Sequence, residues 1–208
     1  MSAPPFFVLP KNILFSLGLP SAENTFYQLA PEKLIQQCIE RKEGTLNNAV
    51  RQTGDVSQNI FIVKDKITAD TIDWNDNTQP IEESVFSNLY QKMITHLDGK
   101  NIWIRDSYVR AETTDRLYIR SISEDPESDM FVYNMFLHPT QKEIENFNPA
   151  WHLIHTAAFA ADPKTDSIEQ DNFMMINCVK RVILIGGLPY DSEIKEKIFS
   201  ILRLNAEN

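Results

Sequence analysis

Cysteine is scarce in this chain of 208 residues: Cys38 and Cys178 are the only two, far apart, each inside a periodic apolar stretch and without a partner motif. That speaks against a disulfide framework and predicts reduced core thiols, with the cytoplasm as the default compartment. Positive charge is scarce as well. A formal net charge of -9 and the lack of any Lys/Arg run interleaved with aromatics leave no field to attract a phosphate backbone, so nucleic acid is not an expected partner. Long apolar runs are missing too. The N-terminal MSAPPFFVLPKNILFSLGLPSA is split by Pro4, Pro5, Pro10 and Pro20 and lacks a basic start, which fits neither a secretion signal nor a membrane span. The sequence contains no GxxxxGK[ST] phosphate loop, no HExxH, no CxxC pair, no GxSxG elbow and no internal repeat.

What is present is an ordinary globular composition, 42% hydrophobic and 24% charged, enough to bury a core. Residues 1–28 read as a proline-rich arm and 29–208 as a single domain. LAPEKLIQQCIERKEG predicts a helix with Pro31 in its first turn, Leu34, Ile35, Cys38 and Ile39 on one face, and Gly44 as its stop. Residues 45–59 are polar and turn-rich, and IFIVK at 60–64 is a short strand. A second helix is expected with Pro80 near its start, Ile81, Val85, Leu89, Met93 and Leu97 along one face, and Gly99 after its end. Three runs rich in branched and aromatic residues, 101–109, 116–123 and 130–137, read as strands. Thr140 and Glu143 form a capping box for a short helix, WHLIHTAAF is a further strand, and NFMMINC and RVILIGG form a strand pair before a last helix. The fold class is therefore α/β, a mixed sheet with flanking helices.

Candidate chemistry is thin. His152 and His155 are three apart in one strand and point to opposite faces, which disfavours a shared metal. The acidic run SEDPESD at 123–129 reads as a solvated loop rather than a cation site, and Asp162 with Pro163 as turn chemistry. The strongest candidate is GGLPYDSEIKEKIFSIL at 186–202. A glycine pair after an apolar strand leads to Tyr190 in the turn and Lys195 on the first turns of a helix, the arrangement that brings phenolic and cationic groups to an anion. The same residues also serve a plain helix start, with Ser192 as cap and Ile194, Ile198, Phe199 and Leu202 as the buried stripe.

Read together, LAPEKLIQQCIERKEGTL, FIVKDKITADTIDWNDNTQPI, DSYVRAETTDRLYIRSISE, NMFLHPTQKEIENFNPAWHLIHTAAFAADP and LIGGLPYDSEIKEKIFSIL resemble the N-terminal domain of ATP-dependent phosphoenolpyruvate carboxykinase, in the same order from about residue 29 to 203. The resemblance implies that domain's fold and a link to gluconeogenesis. In that family, oxaloacetate is decarboxylated and the enolate phosphorylated by ATP, with Mg²⁺ or Mn²⁺, between this domain and a P-loop domain. This chain has no residues matching the second domain, so no nucleotide site is expected here. The family's T-G-R-S-P-K-D-K motif supplies an arginine for the substrate carboxylate. The matching stretch here is TGDVSQNI, with Asp55 at the arginine position and Arg51 nearby as a partial substitute. In the glycine-turn motif Tyr190, Glu193 and Lys195 match, while Glu196 stands at the metal-ligand position, so any Mn²⁺ or Mg²⁺ binding is altered rather than abolished.

The C-terminal RLNAEN is polar where the family continues into an apolar stretch, and an independent short protein is the expectation. The leading expectation is a non-catalytic relative acting as a binding or interaction module, with a small carboxylate, a carboxykinase or P-loop subunit, or a second copy of itself as partner. The alternative is the substrate-side half of a carboxykinase completed by a separate P-loop subunit.

Overall fold

IFIV, FMMIN and VILIG have apolar residues at nearly every position rather than at alternate ones, the pattern of strands covered on both faces. The computed structural model places them so. It describes residues 17–19, 24–42, 60–72, 74–75, 78–112, 115–190 and 192–204. Eight strands form one mixed sheet: β1 (Thr25–Tyr27), β2 (Ile60–Val63), β3 (Gln79–Ile81), β4 (Ile102–Val109), β5 (Leu117–Ser123), β6 (Trp151–Thr156), β7 (Phe173–Asn177) and β8 (Val182–Gly186). Their spatial order is β1-β4-β5-β6-β8-β7-β2-β3. The β4–β5 and β7–β8 pairs are antiparallel and the other neighbours are parallel.

Six helices accompany the sheet among the described residues: α1 (Pro31–Glu40), α2 (Thr68–Thr71), α3 (Glu83–Leu97), α4 (Pro126–Met135), α5 (Gln141–Glu145) and α6 (Ser192–Leu204). Side-chain alternation along the strands divides the core. Phe61, Ile104, Ile122, Ile154, Met175 and Leu184 pack under α3 with Phe86, Leu89, Met93 and Leu97. On the other face Ile60, Ile119, Leu153, Met174, Ile183 and Ile185 pack with Val132 of α4 and with Ile194, Ile198 and Leu202 of α6. The mixed α/β architecture expected from the sequence is the one observed.

Several readings require correction. The run 130–137 is not a strand: α4 starts at Pro126, with Asp125 as N-cap accepting from the Ser128 amide, and runs to Met135. The acidic run 123–129 is not solvated, because Asp125 caps that helix and Asp129 is buried against Arg105. Pro80 belongs to edge strand β3, where the missing N–H costs no ladder bond, and α3 begins only at Glu83. The stripe assigned to α1 is half wrong. Leu34 is buried and Cys38 half-buried, but Ile35 and Ile39 face solvent. The sheet takes in Thr25–Tyr27, and Leu17 and Leu19 are buried, so part of the stretch read as an arm packs with the domain. The helix stop at Gly44 and the turn-rich segment 45–59 lie outside the described residues. Other readings hold: Pro31 is in the first turn of α1, Gly99 follows α3 with φ 71°, and Thr140 with Glu143 forms the capping box of α5.

Candidate functional site

Parallel strands β6 and β8 end side by side, and the turn that follows β8 carries the candidate residues. Two glycines are needed there for different reasons. A Cβ on Gly186 would lie 2.6 Å from the ring of Phe173, so no side chain fits, and Gly187 has φ 71°, the left-handed region. The turn is then pinned from beneath. His155 of β6 is fully buried, and its Nε2 donates to the Leu188 carbonyl at 2.7 Å. Across the sheet, β7 begins beside the end of β8, and β2 begins beside β7, with Ile60 opposite Met174 and Met174 opposite Ile185. One end of the sheet therefore gathers the start of β2 and the glycine turn.

Tyr190 does not reach outward from this turn. Its ring stacks on Phe131 of α4, centroids 5.0 Å apart and planes nearly parallel, and its centroid lies 4.1 Å from that of the His155 ring. Its hydroxyl is buried without a hydrogen-bond partner. Burial first, and then the carboxylates of Asp125 and Asp129, push its pKa well above the ordinary tyrosine value. A groove of about 240 Å³ runs alongside, lined by Glu127, Ser128, Phe131, Asn134, Pro189 and Tyr190. Among the described residues no cationic side chain lines it. The near arginine, Arg105, is consumed by Asp129, with Nε and one terminal nitrogen each 2.7 Å from a carboxylate oxygen.

The other candidates fall elsewhere. Lys195 and Glu196 are both exposed on α6, while Lys197 pairs with Glu193 at 2.9 Å. Helix α6 begins at Ser192, and the side chain expected to cap it, together with Arg51 and Asp55, lies outside the described residues. Among the described residues no three His, Cys, Asp or Glu side chains gather to hold a metal, and the exposed Glu196 does not by itself fit Mn²⁺ or Mg²⁺.

His152 and His155 do face opposite ways. His152 lies on the Ile154 side, and burial, helped by Arg120, depresses its pKa to about 4. What the sequence reading missed is a buried charge network. Asp106 accepts from Tyr27 Oη at 2.6 Å and from Nε and a terminal nitrogen of Arg120, both at 2.6 Å. The signal was there in Arg105, Asp106 and Arg120, charges in the middle of strands otherwise apolar enough to be buried.

The fold and the turn define a class first: an α/β domain that presents a strand–Gly-Gly–helix turn without a phosphate loop. The family follows from comparison. A model of the phosphoenolpyruvate carboxykinase family matches residues 23–207, and the chain belongs to that family. It is 39% identical over 183 residues to a phosphoenolpyruvate carboxykinase (ATP) of Christiangramia forsetii, covering 85% of this chain and 34% of that protein. It is 35% identical over 202 residues to one of Amoebophilus asiaticus, covering 93% and 39% respectively. The chain thus spans little more than a third of the length of these relatives. Among the described residues no helix is long and apolar enough to cross a membrane.

Proposed function

We propose that this chain, taken by itself, is a cytoplasmic binding or interaction module of the carboxykinase family that does not turn over oxaloacetate. The observation that carries this reading is the packing of Tyr190: its hydroxyl is turned into the fold, beside Asp125 and Asp129, instead of standing free next to a cation. An oxalate or phosphoenolpyruvate anion needs a guanidinium or ammonium group, or a metal ion, within a few ångströms to offset its desolvation. The groove at Tyr190 offers the Glu127 carboxylate and aromatic rings instead. The residue types agree with this, since Asp55 and Glu196 stand where the family resemblance calls for an arginine and a lysine.

The test is calorimetric titration of the purified chain with phosphoenolpyruvate and with oxalate, each with and without Mn²⁺. No heat in any titration is the expected outcome, together with no phosphoenolpyruvate formed from oxaloacetate and ATP. Metal-dependent binding would contradict the argument from Tyr190 and favour a substrate-side half completed by a separate P-loop subunit, and phosphoenolpyruvate made by the chain alone would overturn the reading. The charge argument has its own check. Asp55→Arg combined with Glu196→Lys should create measurable oxalate binding in the presence of Mn²⁺, and a double variant as inert as the parent would sink the idea of an inverted anion site.

A further inference from the structure

Two of the large apolar side chains exposed by the described residues sit together. Ile35 and Ile39 are 52% and 71% exposed and one helical turn apart on α1. The inward face of α1 is already accounted for: Leu34 is fully buried, Gln37 Oε1 accepts from Trp103 Nε1 at 2.8 Å, and the Arg41 guanidinium lies 5.3 Å from the centre of the same indole. The outward face carries the two isoleucines. Glu32 lies one turn before Ile35 and Lys42 just past the end of the helix, and both are exposed.

We propose that this face of α1 is the contact of a two-fold pairing with a second copy of the chain. A two-fold contact brings one surface against itself, so the surface must be self-complementary. This one is, in one orientation. Turned antiparallel about a point between the isoleucines, Ile35 of each copy meets Ile39 of the other, and Glu32 at each end meets Lys42 of the other copy. A parallel arrangement would instead set Glu32 on Glu32 and Lys42 on Lys42, so the end charges select the antiparallel one. A single helix face covers less than the roughly 800 Å² per partner of a standard interface, which places the pairing in the weak class. The contact shares no residue with the glycine-turn groove and is read as mass rather than as ligand binding, so either reading can fail without the other.

Sedimentation of the full chain from about 10 µM to about 1 mM, the range in which weak interfaces associate, tests it. The expected result is a monomer at the low end shifting toward a dimer at the high end. Ile39→Asp should stay monomeric throughout while keeping its circular dichroism. Glu32→Lys and Lys42→Glu should each weaken association about five-fold, and the two together should restore it. A chain that is monomeric at every concentration would leave this face to some other partner and overturn the proposal. So would a dimer that Ile39→Asp does not touch, or a double swap no better than the single ones.

Discussion

Along β4 and β5, Arg105, Asp106 and Arg120 are buried and each has an opposite charge aimed at it, whereas at the ends of β6 and β8 the Thr156 and Tyr190 hydroxyls are buried with no hydrogen bond. The two regions differ in what a missing partner costs. An unpaired buried charge costs several kcal/mol, a large part of a domain's net stability, so the strands must close their ion pairs or fail to fold. An unpaired hydroxyl costs about 1–3 kcal/mol and can be carried. The ionic pairs of the strands are architecture, while single hydroxyls, Ser107 of β4 as well as Thr156 and Tyr190, leave polar capacity unspent.

The comparison breaks most visibly at Asp106. Asp106→Ala strands the Arg120 guanidinium and removes the acceptor of Tyr27, and should cost about 3–5 kcal/mol in urea unfolding at pH 7. A loss below about 1 kcal/mol would mean these charges are not structural.

The next effect is in pH. In the unfolded chain His152 takes up its proton near pH 6.5, while the folded protein resists until about pH 4. Its contribution to stability is therefore complete above pH 6.5 and is lost as pH falls to about 4, by about 2 kcal/mol given its partial exposure. From about pH 4.5 downward Glu124 adds a second loss. Burial raises its carboxyl, but hydrogen bonds from His96 and the Ala158 amide, and the charges of His96 and Lys100, outweigh this and hold it at about 2. Urea midpoints measured from pH 7.5 down to 4 should slope in the parent and flatten in His152→Phe. A slope unchanged in the variant would assign the titration elsewhere.

The smallest effect sharpens the other side of the comparison. Tyr190→Phe removes a buried hydroxyl that bonds nothing, and should raise stability by roughly 1 kcal/mol. A destabilised variant would show that the hydroxyl has a partner in solution.

Much of this was legible in the sequence. Apolar runs gave β2, β6, β7 and β8, and periodicity with a glycine stop gave α3. The failure at 130–137 has a local cause and a distant one. MFVYNMFL is rich in branched and aromatic residues, which favour strands, while the Asp125-Pro126 start lay in a segment read as loop. The distant cause is Arg105, 24 residues earlier in the chain, which pairs with Asp129 and turns an apparently solvated acidic run into a buried helix start. The position of Tyr190 after the glycine turn was legible too. Its burial was not, because Phe131 and His155 reach it from other elements and no spacing within the motif reports them.

The order of the strands also fixes a schedule for the ribosome. Strand β2 hydrogen-bonds to β7, Ile60 opposite Met174, and β1 to β4, Thr25 opposite Ile102. Made before β7, the β2–β3 pair must wait with an edge open until residue 174 has been made, and the β7–β8 hairpin that joins it to β6 supplies the last strands of the sheet. The sheet therefore closes only after its last strand has been made, with its early apolar strands held longest in need of shielding.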